Sequence, residues 1–280
     1  MCIRDSHSTI GVFDSGVGGL SVVRELIPRL PDESILYIAD QANVPYGDRN
    51  LLEVRDISEK IVRFLIRSGA KTIVVACNTA SAAALYYLRE TFPEVPFVGM
   101  EPAVKPAAEQ TQSGTVGVLA TPATFQGKLY ESVVNRFASG VNVIQQTCPG
   151  LVEQIETGQI NSDETHALLS SALKPLIEKN IDTLVLGCTH FPFVIPVIKQ
   201  ITGKDVTVID PSPAIARQTE RILEAHNLQS SYNGADQSPP RIILYTTGDV
   251  GSFKRISKSL LNVSYPVEKL IWKNDGLTNT

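Results

Sequence analysis

Two cysteines stand in matching surroundings, Lys71-Thr-Ile-Val-Val-Ala-Cys77-Asn78-Thr79 and Asp182-Thr-Leu-Val-Leu-Gly-Cys188-Thr189-His190. Each closes a β-branched, aliphatic run that reads as a buried strand, and each is followed at once by hydrogen-bonding side chains. A lone free cysteine usually just packs in a core. Two at equivalent strand ends point to chemistry, because open α/β sheets bind ligands at the carboxyl ends of their strands. A thiol where strand gives way to helix is expected to ionise nearer neutrality than its ordinary value of about 8.5, which makes Cys77 a candidate base, with Asn78, Thr79 and Ser81 as candidate caps. If two halves face one another, the thiols lie on opposite sides of one cleft. A thiolate on one face can then take a proton from carbon while a thiol on the other face returns one, inverting a stereocentre.

Other residues fit around that pair with more than one reading each. His190, two residues past Cys188, is either its acid–base partner or a tether for the loop. Cys188-x-His190 supplies too few ligands for zinc and there is no C-x-x-C pair, so no metal is expected. Phe13-Asp14-Ser15-Gly16-Val17-Gly18-Gly19 is a Gly-rich strand-to-helix turn without the Lys-Ser/Thr of a P-loop or the spacing of a dinucleotide fingerprint. Asp14 would repel a phosphate. It suits an ammonium group or a thiol, with Ser15 on a carboxylate, unless the pair simply caps the turn. Pro45-Tyr46-Gly47 reads alone as a turn. Thr121 is a helix cap or a hydroxyl aimed into the cleft, and Glu156 is most simply a solvated helix residue. Cys148, followed by Pro149, has no counterpart in the other half and reads as structural.

The elements that must position these residues alternate along the chain. Strands are expected near Ile10, Ile35, Ile73, Val95, Val116, Val141, Leu184, Val206 and Ile242. Helices are expected over Leu20–Leu30, Leu52–Ser68, Ser81–Phe92, Thr124–Ala138, Asp163–Lys179, Val194–Ile201 and Ala214–Ala225. Gly11-Val-Phe-Asp-Ser15 resembles Gly117-Val-Leu-Ala-Thr121 as the two cysteine strands resemble one another, so one half echoes the other. The expected fold is two similar parallel-sheet α/β domains related by a pseudo-two-fold axis, with the site between them. Met1–Ser8 and Lys273–Thr280 read as disordered ends, and Gln229–Pro240 as an exposed polar loop.

Composition narrows the function classes. The chain has 280 residues, 43% hydrophobic and 19% charged, enough for two ordinary globular domains. A net charge of −4 speaks against a nucleic-acid surface. No apolar run nears the roughly 20 residues of a membrane span, and the polar N-terminus lacks the apolar core of an export signal. Four scattered cysteines, Cys2 included, do not make a disulfide framework, and a reducing cytoplasm is expected.

Asp14-Ser15-Gly-x-Gly-Gly, Pro45-Tyr46-Gly47, Cys77-Asn78-Thr79-Ala-Ser81 and Gly187-Cys188-Thr189-His190-Phe-Pro together resemble the glutamate racemases of the aspartate/glutamate racemase superfamily, in order and spacing, from Ile10 to about Ile222. The resemblance implies a cofactor-independent isomerase that interconverts L- and D-glutamate and supplies D-glutamate for peptidoglycan synthesis, and so for the cell wall and cell shape. It implies that Cys77 takes the proton from D-glutamate and Cys188 from L-glutamate, assisted by Asp14, His190 and Glu156. It further implies substrate contacts from Asp14, Ser15, Tyr46, Gly47, Asn78, Thr79, Thr189 and His190, and Pro45 and Thr121 are expected to join them. The implied organisation is a homodimer whose first domain comprises residues 9–98 and 210–272 and whose second is 99–209. The alternatives are an aspartate or other amino-acid racemase, a cysteine-nucleophile hydrolase or isomerase (which leaves the second cysteine unexplained), and a non-catalytic amino-acid-binding module.

Overall fold

The computed structural model describes residues 8–230, 239, 241–274 and 276–279. Residues 1–7 and most of the Gln229–Pro240 stretch, both expected to be peripheral, lie outside the described residues. The strands are β1 (Thr9–Asp14), β2 (Ile35–Ala39), β3 (Ala70–Val75), β4 (Phe97–Gly99), β5 (Thr115–Ala120), β6 (Asn142–Gln146), β7 (Thr183–Gly187), β8 (Thr207–Ile209), β9 (Ile242–Thr246), β10 (Val267–Lys273) and β11 (Gly276–Asn279). The helices are α1 (Leu20–Arg29), α2 (Leu51–Arg67), α3 (Asn78–Thr91), α4 (Val104–Gln110), α5 (Pro122–Gln126), α6 (Lys128–Phe137), α7 (Leu151–Glu156), α8 (Asp163–Ile177), α9 (Ile195–Thr202), α10 (Ser212–Ala225) and α11 (Val250–Leu261).

Two sheets result, one ordered β11-β10-β9-β2-β1-β3-β4 and the other β6-β5-β7-β8. Every pairing is parallel except β10 with β11. The segment β2-β1-β3-β4 and the whole second sheet share one order: second strand, first, third, fourth. Cys77 follows β3 and Cys188 follows β7, so the two thiols occupy equivalent points of a duplicated unit. In each unit the first and third strands are neighbours while the chain turns outward in opposite directions, which opens a crevice at their carboxyl ends.

Alternation along the strands explains the packing. On β1, Ile10 and Val12 join one buried cluster and Phe13 the other, so both faces of the sheet are covered. The first cluster runs on through Leu119, Leu151, Ile155, Leu184 and Leu186 of the second sheet's lobe, giving the two lobes a shared apolar seam.

Several elements differ from expectation. The helix expected over Thr124–Ala138 is two helices, because Gly127 is extended (φ −74°, ψ 135°). A Cβ at Gly127 would stand 2.5 Å from Ala82 Cβ, so glycine permits this break to lie against α3. Lys273–Thr280 is not frayed throughout. Residues 276–279 form β11, held because Leu277 is buried and pairs in register with Trp272. Helix α11, absent from the sequence reading, is capped by Asp249, whose carboxylate accepts the Ser252 N–H at 2.7 Å, and stops where Asn262 turns left-handed.

Candidate active site

The first cysteine stands at the N-cap of α3, and its sulfur accepts the Ala80 N–H at 3.4 Å. It is therefore the cap itself. Ser81, expected as a possible cap, instead donates to the Val75 carbonyl and accepts from Met100 N–H. The expectation of a lowered Cys77 pKa fails. Burial pushes the thiol well above its ordinary value, and the adjoining negative charge of Asp14 pushes the same way against the weaker pull of the Ala80 N–H. A helix terminus offers a thiolate partial charge, whereas removing it from water costs more.

Asp14 lies at the end of β1, wholly buried, with Oδ2 accepting the Gly19 N–H at 2.8 Å. It thus caps the turn and also faces the thiol. Burial raises its carboxyl above the ordinary range, partly offset by the positive charge of His190 and by the Gly19 N–H.

The second cysteine has a different partner. Cys188 Sγ is 3.7 Å from His190 Nδ1, and His190 Nε2 is 2.6 Å from Glu156 Oε1. Glu156, expected as a solvated helix residue, is the last residue of α7 with its side chain only 9% exposed. Burial disfavours the imidazolium, but hydrogen bonds and charges from Cys188 and Glu156 outweigh it and hold His190 well above 6.5. Burial likewise opposes the Glu156 carboxylate, and donors from His190, Gln41 and Val17 bring it below the ordinary glutamate range. The result is a row running from carboxylate through the histidine ring to sulfur, in which Nε2 donates to Glu156 and Nδ1 faces Cys188 Sγ, placed to exchange a proton with it.

The Gly-rich turn serves this row. A Cβ at Gly16 would stand 1.8 Å from Glu156 Oε1, and one at Gly18 would stand 2.3 Å from His190 Nδ1. Glycines are required here so that acid–base side chains can press against backbone.

Both cysteines open onto one small cavity. Ser15 lines it from the first turn, Pro45, Tyr46 and Gly47 from the loop after β2, and Asn78 and Thr79 from the start of α3. Thr121, Thr189 and His190 close it from the second lobe. Thr121 does both things foreseen for it: its hydroxyl accepts the Thr124 N–H and also meets Thr79 Oγ1 at 3.0 Å. Neither end of the buried Asn78 amide has a partner among the described residues, so both ends are open to a ligand. Asp14 and Glu156 do not line the cavity; they stand behind the groups that do. The sequence reading missed Val152, which lines the cavity, and Gln41, which donates to Glu156 at 2.8 Å. Cys148 lies in an adjoining hollow of about 150 Å³, with burial pushing its thiol up to about 12, as suits an inert side chain.

Residues 10–219 match the sequence model of the Asp/Glu/Hydantoin racemase family. The chain belongs to that family. A glutamate racemase from Roseiflexus sp. (strain RS-1) is 51% identical over 251 residues, 90% of this chain and 91% of that one. Among solved structures, a glutamate racemase of Bacillus anthracis superposes with a TM-score of 0.84 at 36% identity, covering 97% of this chain and 100% of the other. One from Francisella tularensis, solved in complex with D-glutamate, gives 0.82 at 30% identity and covers 96% and 98%. This racemase is thus an isomerase of the two-lobed α/β type. Among its described residues no helix is long and apolar enough to cross a membrane.

Proposed function

We propose that the enzyme interconverts L- and D-glutamate without a cofactor, Cys77 serving one face of the α-carbon and Cys188 the other. The observation that carries this reading is that both thiols open onto one cavity, each backed by its own ionisable partner.

The two partners suit opposite tasks. Asp14 beside Cys77 favours a thiol, which is poised to deliver a proton. An ammonium group entering the cavity would offset the Asp14 charge and make the thiolate accessible for the reverse direction. On the other side, His190 can hold or release the proton of Cys188 through Nδ1, while Glu156 keeps the ring charged and oriented. Asn78 and the hydroxyls of Ser15, Thr79, Thr121 and Thr189 offer neutral donors for the two carboxylates of the substrate. Tyr46 and Gly47 form the wall beside them.

In this reading residues 9–98 with 210–272 and residues 99–209 move as the two domains that admit substrate. The enzyme acts in the cytoplasm as a homodimer and supplies D-glutamate to peptidoglycan. Circular dichroism of the substrate tests it. Either glutamate enantiomer should lose its circular dichroism without added cofactor while aspartate keeps its signal. A folded protein that leaves glutamate unchanged would exclude the proposal, and racemisation of aspartate alone would reassign the substrate.

A further inference from the structure

Glu156 reaches the site from the second lobe, yet two of its three donors come from the first. Oε1 accepts the Val17 N–H and the His190 Nε2–H, both at 2.6 Å, and Oε2 accepts the Gln41 side-chain N–H at 2.8 Å. The orientation of the Gln41 amide is fixed from behind. Gly248 N–H donates to the Thr246 hydroxyl at 2.9 Å, leaving that hydroxyl's proton for Gln41 Oε1 at 2.8 Å. Thr246 is fully buried and ends β9. Since a carboxylate only accepts, the amide must turn its NH₂ toward Glu156. The bonds therefore run one way, from the Gly248 amide through Thr246 and Gln41 to the carboxylate, each polarising the next.

We infer that Gln41 is a positioning residue for the proton exchange at Cys188, its amide, set by Thr246, holding the Glu156 carboxylate against His190. The inference rests on the racemase reading of the site. Gln41 suits the task because it is neutral. It satisfies Oε2 without cancelling the negative charge that His190 needs, as a lysine or arginine would. Without it Oε2 has no other partner among the described residues, and the carboxylate is held through Oε1 alone.

The titratable groups facing Glu156 are His190, with Cys188 beyond it, Asp14 at the end of β1 and Tyr37 on β2. Lys269, bound to the carbonyls of Thr247 and Gly248, is the charged group behind Thr246. Of these titratable groups the Gln41 side chain hydrogen-bonds only Glu156, so replacing it perturbs the row at that carboxylate.

The test is Gln41→Leu, of similar volume and without donor or acceptor. Losing the donor makes Glu156 easier to protonate, so the acid limb of the kcat/KM profile for glutamate should move to higher pH. On that limb the variant should fall about tenfold below wild type, mostly in kcat. Thr246→Val keeps Gln41 but frees its amide to flip, and should move the limb the same way by less; it carries the test if Gln41→Leu does not fold. A limb that stays in place overturns the inference, whether activity is unchanged or lowered uniformly as a merely structural role would lower it. In the ligand-free protein, the His190 Nε2–H resonance, identified by its loss in His190→Asn, should lose its strong hydrogen-bond shift at higher pH in Gln41→Leu than in wild type. That readout needs no turnover. If wild type fails to racemise glutamate the functional proposal falls, while an unmoved resonance overturns the role of Gln41 on its own.

Discussion

Replacing Gly16 with alanine should separate catalysis from folding. The new methyl group would lie 1.8 Å from Glu156 Oε1 and 2.5 Å from its Cδ. The carboxylate must retreat by more than an ångström, which takes it out of hydrogen-bonding range of His190 Nε2 and Val17 N–H, both now at 2.6 Å. The atoms that move are the far end of a flexible side chain, and residue 16 is not among the positive-φ positions, so alanine is compatible with the backbone. A hydrogen bond to a charged group is worth about 1.5–3 kcal/mol. If the transition state uses the His190–Glu156 contact in full, kcat/KM should fall roughly 10- to 100-fold. Because a racemisation has an equilibrium constant of one, both directions must fall by the same factor. The assay is loss of circular dichroism from each enantiomer, with a thermal melt as the control. A native-like melt with kcat/KM within about twofold of wild type would refute the idea that this contact serves the reaction.

Other perturbations follow from the same geometry. Cys77→Ser and Cys188→Ser should each lower racemisation by about 10²–10⁴-fold in steady-state assays, since either one removes an acid–base group from one face. Stability measured by urea titration should depend on pH through the Glu156–His190 pair. The contribution of Glu156 is present above the ordinary glutamate range and lost as pH falls through its lowered folded value. That of His190 is present below 6.5 and lost as pH rises through its raised folded value. Far from the site, Lys71 and Glu33 form an ion pair at 2.5 Å with side chains only 4% and 3% exposed. Glu33→Gln should cost about 3 kcal/mol by denaturant melt, and pairing it with Lys71→Met should recover much of that loss. The chain's one tryptophan, Trp272, donates to Asp40, which also accepts the Tyr46 hydroxyl at 2.7 Å beside the cavity. Glutamate binding should therefore change tryptophan emission, and Tyr46→Phe should diminish that change.

The alternation of strands and helices was legible because β1, β3, β5 and β7 are buried on both faces and read as short, mostly apolar runs. The duplicated cysteine strands were legible for the same reason, and they locate the crevice. What escaped depends on partners distant in sequence. The state of the Cys77 thiol is decided by burial and by Asp14, 63 residues away, so a rule about helix ends gave the wrong direction. Glu156 looks solvated in its own helix, and only the approach of Gly16 and Gln41 from the other lobe shows it to be buried. The glycines of the first turn are punctuation in sequence and clearance in space. Strand β11 was missed because four residues after a turn carry little periodicity, and its anchor is Leu277 packing under α2.

The most direct measurement is the isotopic content of the first product formed in D₂O. Two thiols on opposite faces require that the proton removed and the proton delivered differ. Product should therefore carry solvent deuterium at the α-carbon from the first turnover, while substrate recovered early keeps its original proton, in both directions. Product that retains the substrate's own proton would mean a single base working on both faces, and would contradict the assignment of Cys77 and Cys188.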